Sequence, residues 1–386
     1  MSRACAEAWQ PLPPPDRVIM YSGPIVDAHH HIWRQQDLPW LAGEMVPRIF
    51  GPYESIRRDY AAEEYIAEAR DCGITQSVYV QANWPLDRSL DEVRWVQAVH
   101  EATGWPSAVI GSADLFSDDA PETMRKQAAS SPLVRGTRLQ LHWHEREEYR
   151  FASGPARMRE PVFRQNIAAL RDLGWVFELQ VFPAQMADAA DLVSAFPDTT
   201  FVLVHAGMLI GAGEDTVRAW RAGMRELAQL PNAIVKLTGQ GTFVHRVDAP
   251  LISLVADHVL ELFGPRRVMF GTNFPIEKIW TPMAALVDAW RHALSGLSTE
   301  DQSWAFAHTA RAVYRLPAGR FHHQQGHIGG GSPGHGHTVP QALRPVQHQL
   351  GAHAGIVNAG QGQQFAHQGA AGLPLQVRHR GLLLSP

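Results

Sequence analysis

Three consecutive histidines, His29, His30 and His31, close an apolar run that also carries Asp27. In an extended strand, side chains at i and i+2 share a face. His29 and His31 are therefore expected to point together into one space, with Asp27 one step deeper on that face and His30 turned away. Two imidazoles so placed can chelate one cation or donate hydrogen bonds to one substrate oxygen. Other segments repeat the theme. His205 occupies the last inward position expected of the run FVLVH. Arg138, Gln140 and His142 alternate in RLQLH, with His144 just beyond. Glu178 and Gln180 share one face of their segment, as do Lys236 and Thr238. Strands that only packed would be apolar, since a polar group buried without a partner costs roughly a few kcal/mol. The pattern implies one polar pocket fed by several strands. The planar fork of Arg138 matches a carboxylate, supplied either by an acidic substrate or by an ion pair with Glu178 or Asp27.

The elements that must position these groups are β-rich apolar runs at 25–33, 77–84, 107–115, 134–143, 175–182, 200–208, 233–239 and 267–274. Helical patterns fall between them, and several end at a glycine suited to a helix C-cap: Gly73, Gly104, Gly174 and Gly264. Strict alternation of nearly continuous apolar strands with helices predicts an α/β protein with a parallel sheet. Eight repeats over about 290 residues suit a closed (β/α)8 barrel in a single domain. Reactive residues then belong at the C-terminal ends of the strands. An open doubly wound sheet lacks support, because no G-x-G-x-x-G or phosphate-binding loop follows any strand.

The composition leaves small-molecule chemistry as the default. The chain has 386 residues, 45% hydrophobic and 19% charged, and a net charge of −4 with no basic stripe for nucleic acid. Two cysteines, Cys5 and Cys72, are too few for a disulfide framework. With no apolar leader and no membrane-length apolar stretch, a cytoplasmic protein that acts on a small molecule, without nucleic acid or membrane partners, is expected. Residues 1–22 are Pro-rich and read as a disordered leader, 23–318 as the barrel. Residues 319–386 read as a low-complexity tail, Gly/His/Gln-rich and without Asp, Glu or Lys from Phe321 onward. Oligomeric state leaves no trace in the pattern.

Four segments, VDAHHHIW, VRGTRLQLHWH, FVLVHAGM and FGTNFPIEK, stand in that order at the ends of the first, fourth, sixth and eighth strands. Together they resemble the amidohydrolase-2 family of TIM-barrel hydrolases, over about residues 24–316. The resemblance implies hydrolysis of a small lactone or ester of a carboxylated or sugar-acid compound, as in the family's lactonase-like branch. It places His29, His31, His205 and Asn273 as catalytic positions, of which the three histidines also hold a divalent metal (zinc or manganese) if one is bound. Gln81, Arg138, His142, Gln180 and Glu277 are then expected around the substrate. The family pattern is broken at the end of the eighth strand. Asn273 stands there in place of the usual aspartate, and Gln81 stands where many relatives carry a glutamate. Asparagine cannot act as a general base and is a weak ligand for a divalent cation. The base then falls to a histidine with a near-neutral pKa, His205 or His142, or to Glu277 one turn onward, which otherwise reads as a solvated loop residue. A metal-free hydrolase, a zinc-dependent decarboxylase and a catalytically silent binder all remain open.

Overall fold

Eight short strands with buried side chains assemble into one parallel sheet whose spatial order follows the chain, from β1 to β8. They are β1 Ile25–His30, β2 Ile74–Val80, β3 Ala108–Gly111, β4 Val134–Gln140, β5 Val176–Gln180, β6 Phe201–Leu203, β7 Ala233–Leu237 and β8 Val268–Phe270. The computed structural model describes residues 20–317. Closure is made just past β8: His31 N–H donates to the Phe274 carbonyl at 2.7 Å and Asn273 N–H to the His29 carbonyl at 2.7 Å. The chain is a (β/α)8 barrel.

Alternation divides each strand between two environments. Val26 and Ala28 of β1, Val78 and Val80 of β2, Val176, Val202, Ile234 and Met269 pack together inside the barrel. Their neighbours, among them Ile25, Tyr79, Phe177 and Phe201, pack against the helices. Helices follow the strands at the positions the periodicity predicts, for example Ser89–Thr103, Pro161–Leu173 and Ala249–Phe263. Gly104 and Gly174 end two of them with φ of 77° and 61°, the left-handed conformation that a side chain disfavours. Beyond β8, Ala307, Ala310, Tyr314 and Leu316 of the last helical segment join the interior cluster.

The low-complexity tail and most of the expected leader lie outside the described residues. Of the leader, residues 20–22 are described, and Tyr21 is buried against the barrel. Its ring stacks on Phe306 at 4.9 Å and its hydroxyl donates to the Pro24 carbonyl. Among the described residues, no helix is long and apolar enough to cross a membrane.

Candidate active site

Local irregularities, rather than regular strands, aim the key histidines. Asp27 pairs in register with Ser77 and His30 with Tyr79, so β1 sets three steps against two on β2. Such a bulge flips the alternation. Ala28 stays inside, and His29 and His31 also turn toward the interior, where their rings lie 5.1 Å apart. His30 faces the helices and stacks on Tyr65 at 3.8 Å, as expected. Asp27 corrects the sequence expectation. Opposite in sense to Val26 and Ala28, it sits outside the barrel and accepts hydrogen bonds from the Thr272 hydroxyl at 2.6 Å and the Tyr65 hydroxyl at 2.8 Å.

His205 reaches the site by a different route from the one expected. β6 ends at Leu203, and with Val202 facing inward, simple alternation would send residue 205 outward. Left-handed backbone at His205 (φ 55°) and Ala206 (φ 46°) reverses the chain and brings the imidazole within 5.0 Å of His29. Left-handed φ at two non-glycine residues costs energy that the surroundings must offset. Trp220 Nε1 donates to the Ala206 carbonyl at 2.7 Å and helps fix the turn.

A cavity of about 70 Å³ is lined in part by His31, Arg138, Gln140, Gln180, His205 and Asn273, while His29 does not line it and packs behind against the rings of His31 and His205. Arg138 donates to the Gln81 carbonyl at 2.7 Å, and its Nε is buried without a partner. It forms no ion pair among the described residues, neither with Glu178 nor with Asp27. Glu178 is engaged below the cavity, where Lys236 Nζ lies 2.6 Å from its Oε1 and the Tyr314 hydroxyl donates to the same oxygen at 2.8 Å. His142 lines an outer chamber rather than the inner cavity. Gln81 accepts from Asn83 N–H and, through its carbonyl, fixes Arg138.

Electrostatics make the imidazoles neutral. Burial, reinforced by Lys236 and Arg138, holds His29 well below the ordinary histidine value; burial and Arg138 do the same for His31 and His205. Burial brings His142 down to about 3, and His31 and His205 are also held well below the ordinary value, so none of the three has the near-neutral pKa expected of a base and geometry must choose among them. The His31 Nδ1 donates to the Val80 carbonyl at 2.7 Å, which leaves its Nε2 a lone pair. Both ring nitrogens of His29 and the Nδ1 of His205 are buried without hydrogen-bond partners.

Glu277 is fully buried, not solvated, and it does not line the cavity. Burial pushes its carboxyl up to about 8, against hydrogen bonds from the Trp280 and Asn273 side chains and the Gly241 backbone. It stands behind Asn273 as a partner of that side chain.

The family model described as amidohydrolase matches residues 26–316. The chain belongs to the amidohydrolase family. An L-fucono-1,5-lactonase of Burkholderia multivorans is 29% identical over 307 residues, covering 76% of this chain and 96% of the relative. An uncharacterized protein of Sinorhizobium fredii is 28% identical over 294 residues, covering 76% and 98%. The crystal structure of a Burkholderia multivorans amidohydrolase with bound zinc superposes with a TM-score of 0.64 at 26% identity, covering 76% of this chain and all of that one.

Among the described residues, no three His, Cys, Asp or Glu side chains are grouped so as to hold a metal ion, and the eighth-strand position contributes a neutral amide. His29, His31 and His205, expected to hold a metal only if one is bound, do not form such a group among the described residues, and no step below passes through a metal. The cavity also contains residues that the sequence reading missed. Trp40, Arg48 and Phe50 come from the long segment between β1 and the helix Ala62–Asp71, and Asn83 and Thr242 come from loops. Trp40 Nε1 donates to the Ala82 carbonyl at 3.0 Å, which anchors the segment over the barrel mouth. No periodicity marks such positions. Only the density of aromatic residues after β1 hinted at them.

Proposed function

We propose that this amidohydrolase hydrolyses a small lactone or ester of a carboxylated or sugar-acid compound, with His29, His31, His205 and Arg138 at the reacting centre. The observation that carries this reading is the meeting of the neutral imidazoles of His31 and His205 with an arginine that forms no ion pair among the described residues, around a single cavity. The likeness to an L-fucono-1,5-lactonase supports the bond class.

His31 lines the cavity with its tautomer set by the Val80 carbonyl; its lowered pKa makes it a weak base, which takes the proton of the attacking water at Nε2 only as the new C–O bond forms. Water oxygen bonds to the carbonyl carbon, and the carbonyl oxygen becomes an oxyanion. His205 and Arg138, which line the cavity, donate to it as its charge develops, with His29 packed behind against the His205 ring. Collapse breaks the C–O bond to the alkoxide leaving group, which takes the proton from His31. An imidazolium beside Arg138 is disfavoured, so this proton is readily returned. Gln180 and Asn273 are placed to orient the substrate's hydroxyl or carboxyl groups.

The test is a panel of sugar-acid lactones and small esters followed by proton release, with and without chelator. Hydrolysis that survives chelation and falls by about 10²-fold or more in His31→Ala fits the reading. No turnover with or without zinc or manganese, together with retained binding of an acidic compound, would favour the silent binder, a reading to which Asn273 lends weight.

A further inference from the structure

The inner cavity, at about 70 Å³, is much smaller than the roughly 300–1,000 Å³ of common small-molecule sites. A second chamber of about 640 Å³ opens above it, and Arg48, Ile49, Phe50, Asn83 and Gln140 form walls of both. The pair of chambers together reaches the usual size.

Arg48 stands at the junction. Its guanidinium carbon lies 5.3 Å over the ring of Trp40, which is itself held to the Ala82 carbonyl. Its Nε is buried without a hydrogen-bond partner, and among the described residues no acid pairs with it. The inner cavity is lined by two arginines, Arg48 and Arg138, and by no aspartate or glutamate. Such a throat complements an anion. Beyond it the chamber has an apolar side, of Val46, Ile49, Phe50 and Phe151, beside polar groups that include Gln140, His142 and Arg150. Val46 and Phe151, 47% and 46% exposed, face the same space from separate loops, with Phe50 between them and the inner cavity. Exposed apolar groups that converge on one cavity mark a binding surface. Two glutamates also line the chamber: Glu148 is paired with Arg146, and Glu147 shares the lining with Arg150.

We infer that the outer chamber is a second substrate subsite, in which Arg48 holds a carboxylate of the substrate at the throat and Phe50 and Phe151 cover an apolar or aryl substituent beyond it. For the word substrate this rests on the hydrolase reading. The binding itself does not.

Calorimetric titration of the full chain with 3-phenylpropionate, propionate and 3-phenylpropan-1-ol separates the parts. The aryl acid is expected to bind at least tenfold more tightly than either of the others. Arg48→Ala should erase its advantage over the alcohol, Arg48→Lys should restore part of it, and Phe151→Ala should reduce its advantage over propionate several-fold. Melting curves establish that the variants are folded. Equal binding of the three compounds by the wild type, or an undiminished preference for the acid in Arg48→Ala, overturns the subsite. Because no turnover is needed, an inactive wild type leaves this test standing. Conversely, a failed binding pattern beside measurable lactone hydrolysis would reject the subsite alone.

Discussion

The backbone N–H of Asn273 donates to the carbonyl of His29 at 2.7 Å, so the position that has lost a carboxylate still joins the end of β8 to the end of β1. Closure here depends on the main chain. Asn273→Asp is therefore expected to fold. Its new carboxylate would adjoin Glu277, which is largely protonated at neutral pH because burial holds it up to about 8. The pair should then carry a single negative charge near the histidines. Zinc affinity measured by calorimetry is expected to rise in N273D and to persist in N273D/E277Q, while turnover of an anionic lactone falls. Zinc affinity equal to that of the wild type would show that the missing carboxylate is not what limits metal binding.

Because His29, His31 and His205 are all held well below the ordinary histidine value, the reacting imidazoles are neutral throughout the physiological range. The rate kcat/KM should stay level from about pH 6 to pH 8, with its acid limb below the roughly 6.5 of a free histidine. A profile that bends near pH 6.5 would mean that one imidazole is far better solvated than its burial implies.

Glu277 links pH to stability with a definite sign. Its carboxyl is raised from the ordinary 4.5 to about 8, so the folded state retains a proton that the unfolded chain gives up. The resulting stability is fully present below about pH 4.5 and is lost as pH rises through 8. Glu92, which burial raises to about 7, acts in the same direction. Lys236, which burial lowers to about 8, adds the opposite trend only above that pH. The buried histidines, held below their ordinary value, add stability as pH rises through about 6.5, so the prediction is a difference: between pH 5.5 and 8.5 the urea midpoint of the wild type should fall relative to that of Glu277→Gln. Parallel curves would place Glu277 in contact with water.

Strand and helix positions were legible because burial imposes periodicity: Val78 and Val80 against Tyr79, or Val202 against Phe201, report their faces through spacing alone. The same rule located His29 and His31 but misplaced Asp27, because the bulge that reverses β1 between Asp27 and His30 leaves no mark on the order of residue types. His205 was found for a reason that does not hold. The left-handed turn, not alternation, delivers it. Arg48 and the burial of Glu277 were illegible, since both depend on how long loops fold back over the barrel mouth. The family resemblance was carried by strand ends, where chemistry and periodicity coincide.

The last prediction concerns Gly239, which follows β7 with φ of 74°. A Cβ placed there would lie 2.3 Å from the Nδ1 of His205, far inside van der Waals contact, and left-handed φ would strain any side chain besides. The glycine leaves the imidazole its room. Gly239→Ala should therefore displace the His205 ring without touching the barrel core. Turnover is expected to fall about as far as in His205→Ala, by roughly 10²-fold, because misplacing a catalytic group by about 1 Å can cost that much. The melting temperature should fall only by several degrees, the scale of about 1–2 kcal/mol of local strain in a chain of this size. A double variant, G239A/H205A, should be no slower than H205A alone, since both changes act on one ring. Near-wild-type turnover in Gly239→Ala would show that His205 can leave its place without consequence, and would remove it from the reacting centre.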